Sequence, residues 1–97
     1  MSSPTNRAAE IKPSIVYYLQ FGDRIKIGTT INLQRRLGEI PHDRVLAIEP
    51  GGRALERQRH KEFAEERLTG EWFEPSQRLL AHIKKLRMAA RASRNAA

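Results

Sequence analysis

The chain has 97 residues, which is enough for one small domain with a single core but not for a second folding unit. Hydrophobic residues make up 39% and charged residues 30%, so a modest core can close and outright disorder is not expected. The chain contains no cysteine, which excludes disulfides, a thiol nucleophile and thiolate-bound zinc. The longest apolar run, residues 15–19, is too short to span a bilayer, and no secretion signal precedes it. We therefore expect a cytoplasmic protein without a membrane partner.

The positive charge is concentrated at one end of the chain. The formal net charge is +7, but residues 1–75 carry 12 basic and 11 acidic groups, whereas residues 76–97 carry six basic groups and no acidic one. A polyanion would therefore be attracted mainly to the C-terminal segment. Nucleic acid is the candidate partner, and a basic tail that serves only solubility is the alternative.

The sequence predicts a flexible leader over residues 1–13, followed by a β-hairpin. Strand-forming residues at 15–19 and 24–28 flank Gly22-Asp23, a pair typical of hairpin turns. With that two-residue loop, paired positions sum to 45, so Tyr17 lies opposite Gly28. Tyr17 and Lys26 then share a face at a diagonal separation of about 7–8 Å. An odd-length loop would place them on opposite faces.

A short amphipathic helix follows the hairpin. Thr29 or Thr30 can cap it with a hydroxyl, and Pro41 stops it. Its apolar stripe recurs at i, i+4 and i+7 and consists of Leu33, Leu37 and Ile40. On this helix Arg36 lies beside the stripe and can lean over the sheet edge, whereas Arg35 is expected to face solvent.

The next elements are a third strand at residues 45–48 and a helix at residues 54–68. We expect this helix to be the longest and to end at Gly70. One face of it carries Glu56, His60, Phe63, Ala64 and Arg67. Two ionisable groups thus share a stripe with an aromatic anchor. The alternative is an ordinary Glu–His pair exposed on the rim.

Residues 70–74 are predicted to form a short strand, and Ser76 caps a last helix. The apolar stripe of that helix is Leu79, Ile83, Leu86 and Ala90, and the adjacent basic stripe is Lys84, Arg87, Arg91 and Arg94. Trp72 and Phe73 are assigned to the core. The pattern predicts an α+β fold, with a small, mainly antiparallel sheet flanked by about three helices. Its domain spans residues 14–88, and residues 89–97 form a basic Ala/Arg tail that frays.

Several segments resemble the motifs of one enzyme family. Ile-Val-Tyr at 15–17, Lys-Ile-Gly at 26–28 and the run Thr-Thr-Ile-Asn-Leu-Gln-Arg-Arg after it resemble the signature motifs of the GIY-YIG endonucleases. Ala-Leu-Glu-Arg-Gln-Arg-His-Lys-Glu-Phe at 54–63 and Gly-Glu-Trp-Phe at 70–73 are similar to its short, largely phage and bacterial branch, in which the second motif reads KIG. The resemblance covers about residues 15–83.

The resemblance implies a set of site residues. The residues matching the catalytic positions are Tyr17, Lys26, Arg36, Glu56 and His60, and the motif positions are Gly28 and Asn32. Glu56 matches the acid that binds Mg²⁺ (or Mn²⁺), and Arg36 matches the arginine that binds the phosphate. The family's further polar residue on the last strand has no clean counterpart, and Glu71 is the nearest candidate. Ile15 stands where the first motif has glycine, and Lys26 where many members have tyrosine.

The family function would be metal-dependent hydrolysis of DNA phosphodiester bonds. Tyr17 would accept or relay the proton of the attacking water, helped by positive charge from Lys26 or by His60. A catalytically inactive nucleic-acid-binding module of the same fold and a protein-interaction fragment using the last helix are the alternatives. DNA and RNA are not distinguished at this stage. Target choice would come from the core, from a homodimer or from a separate specificity partner.

Overall fold

Strand-forming residues on both sides of a two-residue turn build the centre of the sheet. The computed structural model describes residues 13–96, so the predicted leader, apart from Pro13, and Ala97 lie outside the described residues. The strands are β1 (Ile15–Phe21), β2 (Arg24–Thr30), β3 (Arg44–Pro50), β4 (Arg67–Thr69) and β5 (Trp72–Phe73). The helices are α1 (Leu33–Leu37), α2 (Arg53–Glu62) and α3 (Gln77–Ala96), with a 3₁₀ turn at Ala64–Glu66. The antiparallel sheet has the order β3-β1-β2-β5-β4, which confirms the predicted α+β fold.

The register of the β1–β2 hairpin is the predicted one. Tyr17 pairs with Gly28, and Leu19 pairs with Lys26, so Tyr17 and Lys26 project from the same face of the sheet. The Gly22-Asp23 loop sets this register because it is two residues long. We call the face with Tyr17 the outer face and the opposite one the inner face.

The hydrophobic core lies between the inner face of the sheet and the helices α2 and α3. The sheet contributes Val16, Tyr18, Ile25, Ile27 and Phe73, and the helical side contributes Phe63, Leu79 and Ile83. These side chains are at most 4% exposed. Leu55 of α2 and Leu86 of α3 pack against this cluster from its margin. The period of two in β1 and β2 places their core side chains on one face, and Tyr17 and Leu19 on the outer face of β1 are buried as well.

The cap and the length of α1 differ from the prediction. Asn32, not Thr29 or Thr30, caps the helix, because its Oδ1 accepts a hydrogen bond from the Arg35 N–H at 3.1 Å. The helix ends at Leu37 rather than at Ile40. Thr30 instead belongs to β2.

The second helix is also shorter than predicted, and α3 is the longest helix. Residues 64–68 were expected to continue α2, but they form the 3₁₀ turn and most of β4, which pairs with β5 through a turn at Gly70. Gly70 has a φ of 54°, a left-handed conformation that glycine adopts without strain. It therefore serves a β-turn instead of ending a helix. Strand pairing here overrides the helical pattern of the sequence.

Helix α3 begins where the sequence predicts and extends further. Ser76 caps it, because the Leu79 N–H donates to the Ser76 hydroxyl at 3.1 Å. That hydroxyl donates in turn to the buried Glu66 carboxylate at 2.8 Å, and Arg78 Nη2 donates to the same group at 2.9 Å. The helix continues to Ala96 through the segment expected to fray, and Ala90 is exposed rather than buried. Within the described residues, no helix is long and apolar enough to cross a membrane.

A buried polar network joins the inner face of the sheet to both long helices. The hydroxyl of Tyr18 donates to Glu49, and His82 Nε2 lies 2.9 Å from that hydroxyl. Arg59 donates from Nε and from Nη2 to the two oxygens of Glu49, each at 2.9 Å. The sequence analysis gave these residues no role. They connect β1, β3, α2 and α3 at one point.

The charge states of the network follow from its contacts. Burial would raise the pKa of Glu49, but the hydrogen bonds from Arg59 and Tyr18 outweigh it and lower that pKa below its usual value. Burial and the charge of Arg59 lower the pKa of His82. The carboxylate is therefore charged and the imidazole neutral near neutral pH. The forked contact from Arg59 fixes α2 against the sheet.

Removal of the Arg59 guanidinium tests this anchor. We expect Arg59→Ala to lower the free energy of unfolding by about 3 kcal/mol near neutral pH, because Glu49 stays buried without its cation. Since the pKa of Glu49 is lowered in the fold, the stability from this pairing is present above the ordinary glutamate pKa. It is lost as the pH falls through the lowered value, so the difference between variant and parent should shrink in acid.

Arg57→Ala is the matched control, since Arg57 is exposed on the same helix. It should change the free energy of unfolding by less than about 0.5 kcal/mol. Urea unfolding followed by circular dichroism over a series of pH values measures both effects. An equal loss in the two variants, or a loss in Arg59→Ala that does not diminish in acid, contradicts the assignment.

Candidate active site

The side chain of Tyr17 lies directly against the backbone of Gly28. A β-carbon placed on Gly28 would collide with the Tyr17 hydroxyl and would lie 2.6 Å from its Cζ. Packed atoms do not approach this closely, so a larger residue at position 28 would displace the phenol. Glycine at this position thus allows the phenol to lie across the strand pair.

Charged groups from three separate segments affect the pKa of the Tyr17 phenol. The residue is 2% exposed. Burial raises the pKa of Tyr17 to about 12, the negative charges of Glu71 and Glu56 raise it as well, and the charge of Arg36 opposes them. Glu56 lies on α2, Arg36 on α1, and Glu71 in the turn before β5. The fold therefore gathers these groups around one buried phenol, which is protonated near neutral pH.

The ammonium of Lys26 is held between an acid and an aromatic ring. Its Nζ lies 3.1 Å from Glu71 Oε1 and 5.3 Å from the centre of the Trp72 ring. The pairing of β2 with β5 sets these contacts, because Lys26 is opposite Trp72 and the Ile27 N–H donates to the Glu71 carbonyl at 3.0 Å. Trp72 is only partly buried, whereas Phe73 is buried in the core as expected. Glu71, the nearest candidate in the sequence, is thus brought into the site.

Glu56 and His60 share one face of α2, as their spacing predicts. His60 Nε2 donates to the carbonyl of Ile27 at 2.8 Å and lies 3.9 Å from Glu56 Oε2. Because a carbonyl only accepts, the proton of a neutral His60 is on Nε2. This bond ties α2 to β2 at the residue before Gly28. The histidine therefore positions the helix that carries Glu56.

The carboxyl groups of Glu56 and Glu71 lie within hydrogen-bonding reach of each other. Burial, then the hydrogen bond and the charge of Glu71, raise the pKa of Glu56. Burial would also raise the pKa of Glu71, but the hydrogen bonds from Lys26 and Glu56 outweigh it and lower that pKa. Glu56 is therefore the more readily protonated of the two acids. The open cavity beside them has a volume of about 310 Å³ and is lined by Arg53, Glu56, Arg57, His60, Arg67, Gly70 and Glu71.

This donor set fits Mg²⁺ or Mn²⁺. Magnesium prefers carboxylate oxygens and keeps several water ligands, so two carboxylates at the edge of an open cavity suit it better than a closed cage would. Glu56 and Glu71 bring two like charges to one cavity, and the charge of Glu71 raises the pKa of Glu56. A divalent cation would offset this repulsion. Glu56 and Glu71 are therefore the residues that would hold the metal.

Helix α1 carries Arg36, which lines a separate pocket of about 240 Å³ and not the cavity beside Glu56. The start of α1 is fixed by Asn32, whose side chain caps the helix and whose carbonyl accepts from the Arg36 N–H at 3.1 Å. The Arg36 side chain is 44% exposed, and that of Arg35 is 78% exposed. The charge of Arg36 lowers the pKa of Tyr17, and its role as the phosphate-binding arginine stays a prediction.

The basic stripe of α3 does not meet the cavity. Lys84, Arg87, Arg91 and Arg94 line two grooves of about 420 and 470 Å³ between α3 and β3, whose walls include Leu46, Ile83, Val45 and Ile48. These grooves are larger than the cavity beside Glu56, but their lining contains no acid or nucleophile. Strands β1 and β2 separate β3 from β5. That the stripe contacts nucleic acid stays a prediction.

The sequence analysis assigned no site role to three arginines at the cavity. Arg53 and Arg57 lie on the same face of α2 as Glu56, and Arg67 reaches the cavity from β4. The spacing of Arg53, Arg57 and His60 at i, i+4 and i+7 was a signal that could have been read. Arg67 was expected on the same helical face as Glu56, but it reaches the cavity from β4, the strand that replaces the end of the predicted helix.

The fold and the cavity define an α+β domain with a mixed acidic and basic site. The family model of the T5orf172 domain matches residues 14–89. The chain therefore belongs to the T5orf172 domain family. Comparison with curated proteins and with solved structures gave no match.

The contact between Gly28 and Tyr17 predicts an energetic coupling. Gly28→Ala should lower the free energy of unfolding by about 1–3 kcal/mol, because the added carbon displaces the phenol. In a Tyr17→Ala background, Gly28→Ala should leave the free energy of unfolding unchanged, because the phenol no longer occupies the space of the added carbon. Urea unfolding of the two single variants and the double variant measures this cycle. Additive effects would contradict the close approach.

Proposed function

We propose that this chain is a small metal-dependent endonuclease of the GIY-YIG type that hydrolyses phosphodiester bonds in DNA. The observation that carries the proposal is the cavity lined by Glu56, His60 and Glu71. Beside it, Lys26 pairs with Glu71 on the face of the sheet that carries Tyr17, and the charge of Arg36 also acts on that phenol. Hydrolysis of a phosphodiester needs a group that handles the proton of water, cations for the phosphate oxygens, and stabilisation of the leaving oxygen. The site offers a candidate for each requirement.

Membership of the T5orf172 family supports the proposal at a coarser level. This domain is phage-associated and occurs in some nuclease-like proteins. The KIG motif, the arginine of α1 and the glutamate of α2 extend that relation to the GIY-YIG group. Cytoplasmic location, and a homodimer or separate partner that selects the target, remain parts of the proposal.

Tyr17 is the group that would accept the proton of the attacking water. The phenol is neutral in the structure, since its pKa is about 12, so it can orient a water molecule by hydrogen bonding. It can take up the proton of that water once its own proton has passed to solvent. The charge of Arg36 favours the phenolate, while the charges of Glu56 and Glu71 oppose it. Neutralisation of these two acids therefore lowers the pKa of Tyr17 and increases the fraction of phenolate that can accept a proton.

Lys26 and Arg36 are the cations for the phosphate. The ammonium of Lys26 is paired with Glu71, so it first offsets that acid and orients it. Arg36 keeps a half-exposed guanidinium whose nearest carboxylate contact is loose, at 3.8 Å from Glu39. Its planar fork can bind two oxygens of one phosphate. His60 holds α2 in place through Ile27 and keeps Glu56 at the cavity.

Mg²⁺ or Mn²⁺, when held by Glu56 and Glu71, would supply positive charge to the phosphate and to the departing oxygen. Side chains of the protein would supply the other groups that phosphodiester hydrolysis needs. Burial of Tyr17 and the partly buried Glu56 limit water around the reacting group and strengthen charge interactions there.

Plasmid nicking tests the proposal directly. We expect the purified chain to nick supercoiled DNA in the presence of Mg²⁺ and to lose this activity when a chelator is added. Glu56→Gln, Tyr17→Phe and Arg36→Ala should each reduce the rate by about 100-fold or more, as expected for groups acting on the transition state.

Glu65→Gln is the matched control, because Glu65 is exposed on the 3₁₀ turn and does not line the cavity. It should nick DNA at the parental rate. Activity that survives in Glu56→Gln or in chelator contradicts the assignment. Retention of DNA on a native gel without nicking by the parent supports the inactive binding module instead.

A further inference from the structure

Three arginines border the cavity beside Glu56 without carboxylate partners in the described part of the chain. Arg53, Arg57 and Arg67 line the cavity and are exposed. None of them lies within salt-bridge distance of an acid among residues 13–96. Arg59, by contrast, is neutralised by Glu49 and Glu62. The charges at the cavity thus remain available to an external anion.

The three arginines occupy two walls of the cavity. Arg53 and Arg57 are four residues apart on α2, which separates their Cα atoms by about 6 Å along the axis. Arg67 comes from β4, and its Nε donates to the Gly70 carbonyl at 2.7 Å. This bond orients one guanidinium at the turn that carries Glu71. Cations on both walls suit an elongated anion that passes between them better than a single small ion.

The acids at the cavity make such cations necessary. A polyanion that approaches Glu56 and Glu71 meets negative charge, and Lys26 is already paired with Glu71. Additional positive charge must come from groups that are not neutralised. The rim arginines supply it, and each guanidinium can donate two hydrogen bonds to one phosphate.

We propose that Arg53, Arg57 and Arg67 form a phosphate-binding track, which holds the backbone of a DNA strand on both sides of the phosphate at Glu56. The track rests on the proposed nuclease function and names how its substrate is held. It differs from the basic stripe of α3, which lines apolar grooves beside β3. The track and the carboxylates share one cavity, so a strand bound to the track lies at the reacting groups.

The test compares the salt dependence of DNA binding in two double variants. Arg53→Ala/Arg57→Ala removes two charges from the track. Lys61→Ala/Lys85→Ala removes the same charge from exposed positions on α2 and α3 that line neither the cavity nor the α3 grooves. Fluorescence anisotropy with a labelled duplex oligonucleotide, in chelator and over a series of salt concentrations, reports binding without cleavage.

We expect the track variant to flatten the plot of log K against log salt by about 1.8, since each phosphate contact contributes about 0.9 for a duplex. The lysine variant should keep the parental slope. Circular dichroism should give the same fold for both variants, because the four side chains are exposed. Equal slopes in the two variants, or an unchanged slope in the track variant, would overturn the proposal.

The nicking assay separates the failure of the track from the failure of the function. If the parent cuts DNA and the track variant keeps its salt slope, the track is wrong and the nuclease function stands. If the parent does not cut DNA but the track variant flattens the slope, the arginines bind the backbone and the hydrolase proposal is wrong. The salt slope therefore tests the phosphate-binding track, and the nicking assay tests the nuclease function.

Discussion

The pairing of β1 with β2 in a single register is the constraint on which the rest of the structure depends. It places Tyr17 opposite Gly28, where only the absence of a side chain allows the phenol to lie. The same register puts Lys26 on the face of Tyr17 and leaves the Ile27 carbonyl free to accept from His60. A shift by one residue would move each of these groups to the opposite face.

Much of the structure around the hairpin could be predicted from the sequence, because residues close together in the chain determine it. A two-residue turn fixes the hairpin register, and the i, i+4 spacing of Glu56 and His60 fixes their common face. The end of α2 could not be predicted in the same way. The apolar spacing continues past Phe63, and only the pairing of β4 with β5 ends the helix. A contact with a distant segment decides the outcome there, and sequence periodicity does not report such contacts.

The same reason explains what the sequence did not show about the site. Glu71 reaches Lys26 because β5 pairs with β2, two strands more than 40 residues apart. The network around Glu49 likewise joins four elements through the side chains of Tyr18, Arg59 and His82. A hint was present, since Glu49 follows Ala47 at the inward spacing of β3, and a buried acid needs a cation. The partner itself could be found only in the folded structure.

The two ionic clusters differ in how far their charges are paired within the fold. The network on the inner face is closed: Glu49 is 7% exposed, and Arg59 is bonded to it by both arms of the fork. The cluster at the cavity is open: Glu56 and Glu71 line it together with arginines that have no carboxylate partner in the described residues. Helix α2 connects the two, because Arg59 fixes it to the sheet while Glu56 and His60 face the cavity. The open cluster thus lies on a helix that the closed network fixes to the sheet.

Anomalous diffraction from crystals grown with Mn²⁺ tests the central claim most directly, that separate segments converge on one metal-binding and phosphate-binding pocket. We expect an anomalous peak in contact with the carboxylates of Glu56 and Glu71, in the cavity that they line. Crystals in which no Mn²⁺ lies beside these two carboxylates, or in which Tyr17, Arg36 and Glu56 occupy unrelated surfaces, would contradict this convergence.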